Sequence, residues 1–290
     1  MLGLKRGTVA LFPHETEWEN EAQRIIEKLK NIFGDIACDI AHVGSTSVKS
    51  IMAKPIIDIA VSVNDFAEVQ KFDETLRRNG FNHVPHDDTD SQLFYACGPY
   101  YDGKGDEQTH FIHVVKRDSM EWINYNLFRD YLNENEAVAR DYEALKLSLA
   151  QKGLPREEYT KSKHDFIRNT LRTALVKHYL GKIVEVEIDR PIGTPHPKHP
   201  EIIYPINYGY IPNVYGGDGE ELDVYILGID EKIEEGGRTT VKIIGIVYRK
   251  NDVEDKLVAA PEGKEYTPEQ IEKIIHFQEQ FYESHVETER

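Results

Sequence analysis

Four carboxylates fall within six residues at Asp218-Gly219-Glu220-Glu221-Leu222-Asp223. Crowded that closely, they repel one another unless cations or solvent share the site. An all-oxygen donor set suits Mg²⁺, Mn²⁺ or Ca²⁺ better than zinc. The preceding run Tyr204-Pro205-Ile206-Asn207-Tyr208-Gly209-Tyr210 gathers aromatics, and Gly216-Gly217 makes the turn that re-aims the side chains after it. A second cluster, Asn251-Asp252-Val253-Glu254-Asp255-Lys256, ends in a lysine, and Arg190 follows Asp189. Two acidic loops that hold Mg²⁺, Arg190 and Lys256 on phosphate oxygens and Tyr208 as a hydrogen-bond donor make the inventory for hydrolysing a phosphoanhydride. Metals polarise the electrophile and acidify a bound water, while cations neutralise the leaving phosphate. Taken singly, each feature has a plainer reading: a solvated acidic turn, a salt-bridged arginine, core tyrosines.

The first half carries a different set. Gly44-Ser45-Thr46-Ser47 offers backbone N–H groups and hydroxyls at a strand-to-helix turn, which suits phosphate if a helix N-terminus follows. Asp58 lies inside the apolar run KPIIDIAV and needs a partner there. In Thr109-His110-Phe111-Ile112-His113, alternation puts Thr109 and His113 on one face and His110 on the other. His42 and His113 read equally well as buried histidines bonded to Asp58. Lys54 and Lys163 are either solvated surface lysines or anion contacts.

The elements that must position these residues follow from periodicity. Trp18, Ala22, Ile25, Ile26, Leu29 and Phe33 recur at helical spacing, with Gly34 as a stop. FAEVQKFDETLRRNG reads as a second helix closed by Gly80, between strands at KPIIDIAVSV and the β region QLFYACG to THFIHVVKR. Three helical segments follow, EWINYNLFRDYL, DYEALKLSLAQKG and EYTKSKHDFIRNTLRTALVKHYL, with Tyr142, Leu145 and Leu149 sharing a face. A seam is expected at Leu180-Gly181-Lys182, giving domains 1–180 and 181–290. Beyond it come short strands, a Pro/His-rich loop at 190–203, and a helix capped by Thr267-Pro268-Glu269-Gln270 that runs to about Tyr282. The fold class is α+β with two domains: a mixed α/β domain with a helical lobe, then a small β-barrel with a C-terminal helix.

The chain has 290 residues and a net charge of −16, which argues against an extended nucleic-acid or anionic-membrane surface. Two cysteines give neither a disulfide framework nor a thiolate zinc site, and no run approaches transmembrane length. The expectation is a soluble cytoplasmic protein acting on a small phosphate-containing substrate, with homo-oligomerisation left open.

Two resemblances add to this. HVGSTSV at 42–48, KPIIDI at 54–59, THFIHVV at 109–115 and the later EW…FRDYL, YEALK and YTKSKHDFI resemble the GrpB family over residues 8–178. That family is similar to the nucleotidyltransferase superfamily, whose pattern is Gly-Ser and then an Asp-x-Asp metal pair. Gly44, Ser45 and Asp58 match it, but Ala60 replaces the second carboxylate. The resemblance implies a nucleotide- or phosphate-binding pocket of His42, Gly44, Ser45, Lys54, Asp58 and His113. A two-metal transfer site needs ions about 3.5–4 Å apart, for which one Asp is poor provision.

DR at 189–190, YPINYGYIPN at 204–213, DGEELDV at 218–224 and GIV…DVEDKLVAAP at 245–261 resemble family I inorganic pyrophosphatases over residues 182–285. The resemblance implies an OB-related barrel, Mg²⁺ (with Mn²⁺ as substitute) on Asp218, Glu220, Asp223, Asp252 and either Glu254 or Asp255, and phosphate contacts from Arg190, Tyr208, Lys256 and Tyr282. It makes Glu220 the general base, where the family has the shorter Asp. A phosphate lysine before DR is absent, and the terminal Tyr-Lys pair reads Tyr282-Glu283. Two alternatives remain beside pyrophosphate hydrolysis: a nucleotidyltransferase-type first domain with a sensing second one, or a binding protein without turnover.

Overall fold

The computed structural model describes residues 1–152 and 156–289. The chain folds into two compact units, Met1–Ile167 and Arg168–Arg290. The first unit contains β1 (Leu4–Lys5), α1 (Thr16–Phe33), β2 (Ala37–Val43), β3 (Ile57–Val63), α2 (Phe66–Gln70), α3 (Asp73–Arg78), β4 (Asn82–His83), β5 (Gln92–Cys97), β6 (Glu107–Gln108), β7 (His110–Lys116), α4 (Met120–Glu134), α5 (Glu136–Gln151) and α6 (Arg156–Lys161). The sheet order is β2-β3-β7-β5-β4, with β3 and β7 parallel and the other pairs antiparallel.

Helix α1 buries the six apolar residues that its spacing picks out and ends at Gly34, whose φ of 55° closes the last turn. Its apolar face packs on Ile57, Ile59, Val61 and Val63 of β3. Each such side chain contributes about 1.5–3 kcal/mol when fully buried. A second cluster joins Val48 and Ile51 to Leu132 of α4 and to Ala139 and Tyr142 of α5.

Three expectations are corrected here. The single helix expected over 66–80 is broken into α2 and α3, a turn that lets both Phe66 and Phe72 pack on the α1 core. The long last helix is also two pieces, α6 and then α7 (His164–Tyr179), with a turn at Ser162-Lys163. On α5 the residue buried beside Tyr142 and Leu149 is Lys146 rather than Leu145, which is only half-buried. The helix end expected at Gly153 lies outside the described residues.

The division between units falls inside α7. Its C-terminal turns belong with the second unit because Arg172 binds the loop at 249–255 and Lys177 pairs with Glu287. That unit adds β8 (Ile183–Arg190), β9 (Asn207–Tyr215), β10 (Glu221–Ile226), β11 (Arg238–Arg249), β12 (Lys256–Ala260), α8 (Pro268–Glu279) and β13 (Ser284–Thr288). The order β12-β10-β9-β8-β11 returns to β12 through a β11–β12 pairing, so five strands close a barrel. Only β10 and β12 run parallel. Strand β13 extends the far edge of β11, and with Val286 as its one apolar residue the sequence SHVET offers no apolar alternation to mark it as a strand. Helix α8 begins with the full capping box at Thr267 and Gln270 and seats Ile271 and Ile275 on Tyr208, Tyr225, Val247 and Val258.

Gly209 explains itself at the β8–β9 crossing. A Cβ there would stand 2.0 Å from the carbonyl oxygen of Glu187, so the strands can approach only without a side chain. Among the described residues, no helix is long and apolar enough to cross a membrane.

Candidate active site

The barrel holds a cavity of about 840 Å³. Strand pairing brings its residues together: Tyr208 on β9 stands opposite Tyr225 on β10, and Asp223 lies two residues before Tyr225 on the same face. Lys256 begins β12, the parallel neighbour of β10. Its Nζ donates to Tyr208 Oη at 2.8 Å, to Glu254 Oε2 at 2.8 Å, and to Asp223 Oδ2. Burial works against the Lys256 charge, but Asp223 and Glu254 outweigh it and hold the ammonium above its usual range. Burial, reinforced by Asp223, keeps the Tyr208 phenol protonated at any ordinary pH.

Glu254 is pushed up to about 7, first by burial and then by repulsion from Asp223, against the pull of Lys256. Its Oε1 is buried with no hydrogen-bond partner, and so is Gln278 Oε1 on the same cavity. A buried carboxylate oxygen in that state is costly, and a cation would relieve it.

Asp218 and Glu220 line the cavity from the turn between β9 and β10, where Asp218 Oδ1 accepts the Glu220 N–H at 3.0 Å. Asp252 lines it from the loop before β12 and accepts from Arg249 Nη1 at 2.9 Å. Arg190 lies at the cavity beside its neighbour Asp189.

Asp255 does not face the cavity. Arg172 grips its carboxylate through Nε at 2.8 Å and through Nη2, and the Arg249 N–H donates to it at 3.0 Å. Of the two acids left open by sequence, Glu254 is therefore the one that lines the cavity. Asn207, in the middle of the aromatic run, is fully buried and bonds the backbones of Ile192, Glu231 and Ile233, so its work is to pin loops. Tyr282 lies at the cavity with its ring under Arg249, 3.7 Å from the guanidinium carbon.

In total the cavity lining carries eight carboxylates (Asp189, Glu201, Asp218, Glu220, Glu221, Asp223, Asp252, Glu254) against four cations (Arg190, Lys198, Arg249, Lys256). As the side chains stand, no three carboxylates or imidazoles among the described residues converge on one point, since Lys256 stands between Asp223 and Glu254. The all-oxygen donor set, its excess negative charge and the unpartnered Glu254 oxygen fit Mg²⁺. Arg249 and Gln278 were missed by sequence reading. An arginine closing an apolar strand two residues before an acidic loop was the available signal for the first; nothing local marked the second.

In the first unit the expected pocket is only partly assembled. Ser45, Lys54 and Asp58 line a cavity of about 230 Å³. His113 stands behind it, Nε2 to Asp58 Oδ1 at 3.3 Å, with Nδ1 toward Tyr125 and Gln92. Gly44 allows the close approach of Asp58: a Cβ would stand 2.4 Å from Oδ2. His42 bonds Thr46 Oγ1 at 2.9 Å instead of Asp58, and burial lowers it to about 4, so it is a neutral structural histidine. The turn after Gly44 is a single 3-10 turn, Ser45–Ser47, in which Ser47 Oγ bonds back to the Gly44 carbonyl. The α-helix N-terminus that would have cradled phosphate there is lacking. Lys146, unexpected from sequence, lines the cavity instead, and burial with the Lys163 charge lowers it to about 7.

The profile of the GrpB protein family matches residues 8–173, and that of inorganic pyrophosphatase matches residues 179–287. The chain is 37% identical to the glutamate-rich protein GrpB of Alkalihalophilus pseudofirmus, covering 59% of this chain and 98% of that protein. The crystal structure of conserved protein GrpB from Enterococcus faecalis superposes with a TM-score of 0.53 at 28% identity, covering 59% of this chain and 99% of that one. An inorganic pyrophosphatase from Neisseria gonorrhoeae is 21% identical with a TM-score of 0.29, over 38% of this chain and 82% of that one. This chain belongs to the GrpB family and carries, after its GrpB domain, a divergent inorganic-pyrophosphatase-like domain.

Proposed function

We propose that the barrel unit hydrolyses inorganic pyrophosphate, or a related phosphoanhydride, with Mg²⁺. The observation that carries this reading is the charge of one cavity. Eight carboxylates face four cations there, and Arg190, Tyr208 and Lys256 stand at the same walls. An anionic substrate is repelled by such a lining unless divalent ions enter with it, and then the cationic side chains become available to phosphate oxygens.

Asp218, Glu220, Asp223, Asp252 and Glu254 would hold the ions. Bound Mg²⁺ supplies electrophile polarisation and lowers the pKa of water. Asp223 and Glu254 hand Lys256 over from their own oxygens to phosphate, while Arg190 neutralises the departing phosphate. Tyr208, kept protonated by its burial, donates a hydrogen bond to a phosphoryl oxygen. Glu220 takes the proton of the attacking water as the new P–O bond forms and the bridging P–O bond breaks. Mn²⁺ should replace Mg²⁺ in the same oxygen sites.

One observation favours binding without turnover. Glu185 and Glu187, which precede Arg190, are both engaged by Arg238, and Glu187 also accepts from Tyr210 at 2.7 Å. They are not available to the cavity. Phosphate release from pyrophosphate with Mg²⁺, comparing the full chain with Asp223→Ala, decides between the two readings. Hydrolysis is expected to fall by roughly 100-fold or more in the variant, the usual scale for losing one electrostatic stabiliser. Equal rates would overturn the site, and tight Mg²⁺-dependent binding with no phosphate released would establish a sensor.

A further inference from the structure

The acids of the barrel cavity come from two loops, and their mutual repulsion works against holding those loops in shape. Asp252 and Glu254 line the cavity, while Asp255, the next residue, turns away from it. The residue that takes Asp255 is Arg172 on α7, which lies outside the residues 179–287 matched by the inorganic pyrophosphatase profile.

Four of the five guanidinium donors are spent on this one loop. Nε donates to Asp255 Oδ2 at 2.8 Å and Nη2 to Asp255 Oδ1, a fork that fixes the carboxylate at both oxygens. Nη1 donates to the Asp252 carbonyl at 2.5 Å, and Nη2 also to the Arg249 carbonyl at 2.8 Å. The Arg249 N–H completes the grip, donating to Asp255 at 3.0 Å. Only 3% of the Asp255 side chain is exposed, so water competes little for it. The second acidic loop meets the first at the same place. A Cβ on Gly217 would stand 2.2 Å from the Val253 carbonyl oxygen and 3.8 Å from Arg172 Cδ. Gly217 directly precedes the turn that carries Asp218 and Glu220, so the stem of Arg172 lies where the two acidic loops touch.

We propose that Arg172 is a positioning residue for Mg²⁺ in the barrel, a role that rests on the reading of that cavity as a Mg²⁺ site. It sets Asp252 and Glu254 at their distance from Asp218, Glu220 and Asp223, and itself touches neither metal nor substrate. α7 then belongs to the working parts of the barrel, although the GrpB profile runs over residues 8–173 and so includes Arg172. The expected sign is the reverse of what charge alone predicts. Removing a cation from beside an acidic cavity should by Coulomb attraction tighten Mg²⁺ binding. Removing the clamp should weaken it. A lysine, attached at one point, cannot hold a carboxylate and two carbonyls together.

The test is calorimetric titration of Mg²⁺ into the full chain, with pyrophosphate hydrolysis measured on the same samples. Binding that Asp223→Ala removes marks the cavity site. Its affinity is expected to fall roughly 10-fold or more in Arg172→Gln and in Asp255→Asn, the scale for losing a group that orients metal ligands. The double variant should fall no further, because the two groups act as one unit. Arg172→Lys keeps the charge without the fork and should bind as weakly as Arg172→Gln. If Arg172→Gln fails to fold with Asp255 left buried beside no cation, the double variant still carries the test, since it leaves no unpaired charge. Unchanged or tighter Mg²⁺ binding in the double variant would overturn the proposal, as would full binding in Arg172→Lys or a wild type that binds no Mg²⁺ in this cavity. Weakened Mg²⁺ binding in the variants, with no phosphate released even by the wild type, would support the proposal and count against hydrolysis alone. Wild-type hydrolysis whose Mg²⁺ dependence the double variant leaves unchanged would do the opposite.

Discussion

The two cavities are opposites in charge. The barrel cavity lines eight carboxylates against four cations, while the GrpB cavity lines four lysines against one carboxylate among its described residues. In each cavity the charge of one group is costly. In the barrel the cost shows as a carboxyl that keeps its proton up to about 7 and an oxygen without a partner. In the GrpB unit it shows as an amine that sheds its proton from about 7 upward. The difference teaches that loss of water disfavours a buried charge of either sign, a carboxylate in one cavity and an ammonium in the other.

The largest expected effect breaks the barrel side of this contrast. Lys256 is the one cation that touches Asp223, Glu254 and Tyr208 together. Replacing it by Met keeps the volume and leaves the buried Glu254 and the half-buried Asp223 uncompensated. Breaking a buried pair from one side costs about 3–5 kcal/mol. Lys256→Met should lose pyrophosphate hydrolysis by roughly 100-fold or more and unfold at lower urea in EDTA. Mg²⁺ should restore part of its stability, since a divalent ion can stand where the ammonium stood. Unchanged urea midpoints in EDTA would show that Lys256 is not what balances these acids.

A smaller effect compares what a methyl group meets at each site. At Gly209 it meets the Glu187 backbone at 2.0 Å, whereas at Gly44 it meets the Asp58 side chain at 2.4 Å. Backbone paired in a closed barrel cannot retreat, so Gly209→Ala should cost about 1–3 kcal/mol, the range for overpacking. It should also lower hydrolysis by shifting β9 and with it Tyr208. Thermal melts of the variant at wild-type stability would contradict the β8–β9 approach.

Much of the barrel site was legible because its residues come in runs. The turn at 216–223 and the loop at 251–256 each carry their acids within six residues, and a closed barrel returns both to one cavity. Where the run was too dense the sequence could not choose. Glu254 and Asp255 are adjacent, alternation sends them to opposite sides, and the partner that takes Asp255 is Arg172, some 80 residues away. The GrpB cavity was less legible for the same reason. Its lysines come from positions 54, 146 and 163, and only the fold places them together. One signal was overlooked: Lys146 falls at i+4 from Tyr142 on the apolar face of α5, where a lysine has to be explained.

Taken per pH unit the effects are smallest, yet they test the contrast most sharply, because the two units should respond to pH with slopes of opposite sign. Glu254 has a folded pKa raised from 4.5 to about 7. The folded state then holds a proton that the unfolded state releases. Its stabilising share is full below 4.5 and is lost as pH rises to about 7. Lys146 has a folded pKa lowered from 10.5 to about 7. Between 7 and 10.5 the unfolded state holds the extra proton, so stability rises with pH across that window. Either slope can reach at most about 1.4 kcal/mol per pH unit. Urea unfolding in EDTA, followed separately for each unit, should therefore show a decline between pH 4.5 and 7 that Glu254→Gln removes. It should also show a rise above pH 7 that Lys146→Met removes. Slopes that survive these substitutions would assign the titration to other groups, and a rise abolished by Glu254→Gln would reverse the roles given to the two cavities.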